Sequence, residues 1–292
     1  MTAIAPDIRF PHIGISLEKV PTVFVSIFGL DIYMYAVCIV LGIVAAYALG
    51  MWWVKRSGQK ADDYNDLLLL GVPLAVVGLR LYYLIFNWNA YRGQNFFVVF
   101  FQIRDGGLAI FGGIIGAAIA AAIIGRRKNI AFATIADTAA PSMLLGQVIG
   151  RFGNFFNREA FGGYTDNFFA MQLRLSDVRL GSHITDEIRA NIVTFNGAQY
   201  IQVHPTFLYE AMLNFVLMLA LLSYRPHKKF NGEIVLMYFL GYGVIRFFVE
   251  SLRTDQMKLL NTGLPLNQLM AVLFAVVSAG LIIYHRYKKK GA

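Results

Sequence analysis

Charge is what this chain has little of. Asp, Glu, Lys and Arg make up 15% of its 292 residues, against 57% hydrophobic residues and a mean hydropathy of +0.56. Soluble domains carry roughly 25% charge. The shortage excludes an ordinary soluble core and points to an all-α polytopic membrane protein. Cysteine is scarcer still: Cys38 is the only one, which excludes an internal disulfide and a thiolate metal cluster. It lies between Val37 and Ile39, a setting for a buried, inert thiol. The five histidines (12, 183, 204, 227, 285) are scattered, so no metal site and no cofactor is expected. There is no internal repeat, low-complexity tract or second soluble domain. The N-terminus has no basic stretch before its first apolar run, and that run has no cleavage-type site. A retained helix is expected rather than a signal peptide.

The cations lie mainly in short clusters beside apolar runs. The formal net charge of +9 therefore reads as membrane topology, with no nucleic-acid partner. A bilayer core takes about 20 apolar residues per helix. Seven runs fit, at about residues 32–54, 67–86, 106–125, 131–150, 206–224, 234–252 and 265–285, within a single integral membrane domain over 1–292. Basic clusters at Lys55/Arg56/Lys60, Arg126/Arg127/Lys128, Arg225/Lys228/Lys229 and Arg286/Lys288/Lys289/Lys290 follow spans one, three, five and seven. With seven spans all four clusters fall on one side, the cytoplasm, leaving the N-terminus outside and the C-terminus inside. Residues 158–203 are then a small extracytoplasmic head, with strand-like patterns at 168–175 and 199–203. Gly112-x3-Gly116 and Gly146-x3-Gly150 permit close helix approach.

The polar residues inside these runs converge. Arg80, Arg151 and Arg246 lie in or at the edge of the membrane, where a cation is costly unless something anionic meets it. The run directions put Tyr35, His204 and Glu210 at the same outer level. Tyr242, Arg246, Glu250 and Arg253 are spaced 4, 4 and 3, one helix face. The arginines Arg80, Arg151, Arg246 and Arg253 outnumber Glu210 and Glu250 as partners, leaving positive charge for an anionic ligand; guanidinium forks suit phosphate. A carrier of anionic solutes would also put arginines in the membrane, but it predicts inverted repeats and a midplane site. Neither pattern is present.

One stretch is specific. GRFGNFFNREAFGG, residues 150–163, resembles the signature G-R-x-G-N-F-x-N-x-E-x-x-G of bacterial prolipoprotein diacylglyceryl transferases. Gly150, Arg151, Gly153, Asn154, Phe155, Asn157, Glu159 and Gly162 fill it. His204-Pro205-Thr206-x2-Tyr209-Glu210, Gly241-Tyr242-Gly243-x2-Arg246-x3-Glu250-x2-Arg253, and Asp105-Gly106-Gly107 with Gly112-Gly113 match further family elements, as does Tyr35 in the first span. The resemblance implies transfer of the diacylglyceryl group of phosphatidylglycerol to the lipobox cysteine in a prolipoprotein signal peptide. That reaction forms a thioether and releases glycerol phosphate, the first step of lipoprotein maturation, in the bacterial cytoplasmic (inner) membrane among its lipids. It implies Arg151 and Arg246 as the essential arginines, with Asn154, Glu159, Gly162 and Glu210 in the site. Asn157, Tyr242, Glu250, Arg253 and Arg80 join them as candidates for substrate contact.

The chain departs from part of the family at Phe111, where some relatives have a histidine proposed as base; phenylalanine takes no proton. Glu210, His204 and Tyr35 are the remaining candidates, and each has a plain structural role open to it: arginine partner, helix cap before Pro205, interfacial anchor. Asn154 and Asn157 are candidates to cap the fourth span, and Glu159 to pair with Arg158 or Arg151. Arg80 reads as a counter-ion, and Asn267 and Gln268 as caps of the last span. The topology predicts that a cysteine at position 180, in a variant lacking Cys38, reacts with an impermeant thiol reagent from outside; labelling from the cytoplasm would reverse it.

Overall fold

The computed structural model describes residues 5–102, 106–259 and 263–290. In chain order it holds strands β1 (Ile8–Phe10), β2 (Ile15–Leu17), β3 (Val23–Ile27) and β4 (Leu30–Tyr33). Helices α1 (Met34–Arg56), α2 (Ala61–Asn87), α3 (Phe96–Phe101), α4 (Ile110–Lys128) and α5 (Phe132–Asn157) follow. Then come β5 (Met171–Arg174), α6 (Asp186–Ala190), β6 (Val193–Phe195), β7 (Ala198–Val203), α7 (Thr206–Tyr224), α8 (Glu233–Leu252) and α9 (Leu266–Lys290).

The helices α1, α2, α4, α7, α8 and α9 are long and apolar enough to cross a membrane. The long helix α5 has 26 residues but carries Asp137, Gln147, Arg151, Asn154 and Asn157, which dilute its apolar character. Several expected boundaries move; the second helix begins at Ala61 instead of 67, and the last runs to Lys290 instead of 285. The first helix begins at Met34, because residues 30–33 are strand β4. The third begins at Ile110 instead of 106, because Gly106 and Gly107 hold left-handed backbone (φ 87° and 70°) that no helix continues. The fourth runs to Asn157 instead of 150, so the first eight residues of the family-like stretch form the last two turns of a helix and the rest lie beyond its end. Asp105 lies outside the described residues.

The chain divides into two compact units, Met1–Leu49 with Ala140–Ala292, and Gly50–Ala139. In the first unit an antiparallel sheet is ordered β2-β1-β5-β7-β6. Its apolar side buries Ile8, Met171, Leu173, Ile188, Ile201 and Val203. The expected 158–203 segment is thus only part of the head: β1, over 160 residues earlier, pairs Ile8 with Leu173. The three-residue strands β1 and β2 are too short to show a period of their own. Asp7 pins them, accepting from Arg174 Nη2 at 2.7 Å and Arg158 Nη2 at 3.2 Å. Below, α7 packs on α8 and α8 on α9, around a core of Leu144, Met218, Leu221, Ile234 and Tyr238. Gly146 of α5 faces Gly42 of α1 across a gap that a side chain would fill.

In the second unit α2 packs along α4. A Cβ at Gly112 would lie 2.0 Å from the Gly78 carbonyl oxygen, and one at Gly116 2.2 Å from that of Leu74, so only glycine permits this approach. A Gly112→Ala substitution is expected to destabilise the chain by about 1–3 kcal/mol. Gly280→Ala, in open space on α9, leaves the melting temperature unchanged or raised. Thermal melts of the two variants in one detergent check this.

Candidate active site

Four helices of the first unit bring one polar cluster together. Spacing on α8 turns Tyr242, Arg246 and Glu250 to one face, and Arg246 Nη2 lies 2.5 Å from Glu250 Oε2, one turn on. From α7, Glu210 enters with its carboxylate 1% exposed. Its Oε1 accepts from Arg151 Nη2 at 2.6 Å and from the Tyr242 hydroxyl at 3.2 Å; its Oε2 accepts from Arg246 Nη1 at 3.0 Å. From the first turn of α9, Asn267 Nδ2 donates to Glu250 Oε1 at 2.9 Å. Arg151 also donates to Asn154 Oδ1 at 3.4 Å.

The expected surplus of positive charge is absent from this cluster. Two guanidiniums meet two carboxylates, and Arg253 is taken elsewhere. Arg253 ends α8 in extended backbone and leaves the helix face on which spacing alone put it. It makes a two-pronged contact with Asp255, at 2.9 and 2.7 Å. Asp255 is partly buried, which opposes its ionisation, yet the hydrogen bonds and charge of Arg253 hold its carboxyl below the usual range. The exposures show how the cluster is oriented. Arg151 and Arg246 are 21% and 13% accessible, whereas Glu210 and Glu250 are each 1%. The carboxylates are covered, and the arginine side chains are the part of the cluster that stays accessible. Such groups are oriented before an anion arrives.

The end of α5 carries the rest of the family-like stretch. Asn154 and Asn157 both donate to Glu159 Oε1, at 3.2 and 3.0 Å, instead of capping backbone carbonyls. Glu159 pairs with Arg179, not with Arg158 or Arg151 as expected; Arg158 turns to Asp7 and to the Val20 carbonyl, at 2.8 Å. Arg158 and Ala160, both left-handed (φ 51° and 57°), swing the chain sharply around Glu159. Gly162 then threads between two strands of backbone: its N–H donates to the His204 carbonyl at 3.0 Å, and it bridges Arg253. A Cβ there would stand 2.8 Å from both the His204 Cβ and the Leu252 oxygen, so the position requires glycine.

His204 sits one residue before Pro205, where α7 begins, and does not cap it. Its Nδ1 lies 3.3 Å from the Tyr209 hydroxyl and 3.5 Å from Asn167 Nδ2, and Asn167 Nδ2 donates to the Tyr209 oxygen at 3.0 Å. Burial pushes the imidazole below its ordinary pKa, so it is neutral at neutral pH. Tyr35, in the first turn of α1, lays its ring against Gly153, where a Cβ would stand 2.7 Å from Cδ2. Its hydroxyl has no partner among the described residues.

Arg80 belongs to the second unit. It is 2% exposed and donates to the carbonyls of Gly106, Gly107 and Val99, at 2.9, 2.9 and 2.5 Å, where a counter-ion role was expected. Phe111 packs near Tyr82, ring centres 6.1 Å apart. Asn167, Arg179, Asp255 and the inward role of Asn267 were not foreseen: their partners lie far along the chain or beyond a helix end, where periodicity says nothing. Gln268, also expected as a cap, donates to the Phe247 carbonyl at 3.2 Å.

Residues 22–284 match the family model described as prolipoprotein diacylglyceryl transferase. Proteins named phosphatidylglycerol–prolipoprotein diacylglyceryl transferase are similar along most of their length. The Finegoldia magna protein is 39% identical over 266 residues, 91% of this chain and 95% of that one. The Bacillus cereus protein is 38% identical over 275 residues, 93% and 94% of the two chains, and the Lysinibacillus sphaericus protein 38% over 258 residues, 88% and 89%. With a model match across most of its length and relatives of this identity, the chain belongs to the prolipoprotein diacylglyceryl transferase family.

Proposed function

We propose that this chain moves the diacylglyceryl group of phosphatidylglycerol onto the lipobox cysteine of prolipoproteins, at the outer face of the bacterial cytoplasmic membrane. The observation that carries this reading is the pair Arg151 and Arg246, held through opposite oxygens of one buried carboxylate, Glu210. Their accessible edges receive the phosphodiester of the lipid. The thiolate attacks the glyceryl CH₂ carbon, the S–C bond forms and the C–O bond to phosphate breaks. The departing electron pair settles on a phosphate oxygen, and the fixed guanidiniums stabilise that growing charge. Glu250 and Asn267 keep Arg246 in register, and Glu159 holds Asn154 and Asn157. Seven spans, with α5 as the fourth, put the N-terminus and the sheet outside, in keeping with the basic clusters.

Purified chain incubated with phosphatidylglycerol vesicles and a lipobox peptide is expected to add a diacylglyceryl mass to the peptide and release glycerol phosphate. Absence of both would refute the reading. Arg151→Lys keeps the charge but loses the fork. It is expected to lower the transfer rate about a hundredfold, roughly 3 kcal/mol of transition-state stabilisation. Near-normal turnover in that variant would mean that Arg151 serves structure alone. Glu210→Gln removes the shared counter-ion, leaving Arg151 without its carboxylate and Arg246 with Glu250 alone. It is expected to cost about 3 kcal/mol of stability and to weaken phosphatidylglycerol binding, read from melting and lipid-titration curves of one preparation.

A further inference from the structure

The reaction needs a proton acceptor, because a thiol must become a thiolate before it attacks. Phe111 cannot serve. Glu210 is committed: three donors, two of them guanidiniums, aim at its two oxygens. A thiol proton could bind there only by displacing an arginine on which the phosphate site depends. Tyr35 meets Gly153 through its ring carbons, and a phenol oxygen is a far weaker proton acceptor than an imidazole nitrogen.

The geometry assigns the base to His204, with Tyr209 and Asn167 as the residues that position it. Both sides of the imidazole backbone are fixed, since the His204 N–H donates to the Gly163 carbonyl at 3.0 Å and the Gly162 N–H to the His204 carbonyl at 3.0 Å. The ring's Nδ1 faces the Tyr209 hydroxyl at 3.3 Å, and that oxygen also accepts from Asn167 Nδ2 at 3.0 Å. The Tyr209 hydroxyl can donate to Asn167 Oδ1 at 3.4 Å, which suits the tautomer whose Nδ1–H donates to the Tyr209 oxygen. In that tautomer the lone pair is on Nε2, which has no hydrogen-bond partner among the described residues. Glycine at 162 follows from the same arrangement, because a side chain there would push against the His204 Cβ. The groups within hydrogen-bond reach of the ring, Tyr209 and Asn167, are uncharged. Among charged neighbours along the chain, Glu210 is turned to its arginines and Arg253, bridged to Gly162, is turned to Asp255. Phe169, edge-on to Tyr209, adds an apolar wall. The imidazole is therefore neutral and receptive at neutral pH.

The step balances without a co-reactant. The S–H bond breaks, its proton passes to Nε2 and its electron pair stays on sulfur. After the C–O bond breaks, the imidazolium returns the proton to the leaving phosphate. This assignment rests on the transferase reading, and the experiment separates the two. Full-length chain in phosphatidylglycerol vesicles is given a lipobox peptide, and initial rates are followed from pH 5.5 to 9.5. Wild type is expected to lose activity only as the pH falls below the ordinary imidazole value of about 6.5. His204→Asn is expected to be slower by about a hundredfold or more at pH 7. Its defect shrinks to about tenfold or less at pH 9.5, where a thiol of ordinary pKa near 8.5 ionises unaided. Its lipid affinity stays unchanged. Tyr209→Phe and Asn167→Ala are expected to lose roughly tenfold in kcat at pH 7 with KM for lipid unchanged, and the same alkaline recovery. They carry the test if His204→Asn does not fold. Near-normal transfer by His204→Asn at pH 7, or a defect equal at pH 7 and pH 9.5, overturns the assignment alone. A wild-type chain that releases no glycerol phosphate overturns the transferase reading and the assignment with it.

Discussion

Glu210 is shared between Arg151 and Arg246, and the geometry of the site depends on that sharing. Helix α5 contributes Arg151, α7 Glu210 and α8 both Arg246 and Glu250, and a fourth helix, α9, reaches in through Asn267 to steady Glu250. Two guanidiniums side by side in a buried place would repel; the carboxylate between them lets both sit there and fixes the distance between their forks. Buried ion groups of this kind add little net stability over apolar packing, because desolvation opposes their attraction. What they supply is a defined arrangement, and a phosphate site needs that more than it needs surplus charge.

The cluster's internal balance has a chemical consequence. A site with several unpaired arginines would hold any phosphate strongly, substrate and product alike, and uniform binding does not speed a reaction. Here the arginines already answer to Glu210 and Glu250. In the proposed reaction, their interaction with a bound phosphodiester would be moderate and would strengthen as charge accumulates on the leaving group. Stabilisation that grows along the reaction lowers the barrier.

Around this centre, backbone strain is concentrated in one short turn. Arg158 and Ala160 both adopt left-handed backbone without being glycine, and they persist because Asp7, the Val20 carbonyl and Thr206 hold the turn from three directions. The turn carries Glu159 to Asn154 and Asn157 and sends Gly162 between His204 and Leu252. The sheet and the helices of this unit are thereby joined by hydrogen bonds at the place where the family-like residues gather.

Features that repeat locally were legible in the sequence. Apolar runs of bilayer length mark the long helices, spacing of four links Arg246 to Glu250, and paired glycines mark close helix approach. The stretch from Gly150 to Gly163 pointed to the family because its residues stand close together in one segment. Partnership across the chain was not legible. Pairing of Ile8 with Leu173, Glu159 with Arg179, Asn267 with Glu250 and Arg80 with three carbonyls is decided by where separate elements come to rest, and no period in the sequence encodes it. The charge balance shows the difference most clearly. Counting arginines against glutamates gave an excess, but ionic energy depends on distance and burial. Only the folded chain determined that Arg253 belongs to Asp255 and that one carboxylate serves two arginines.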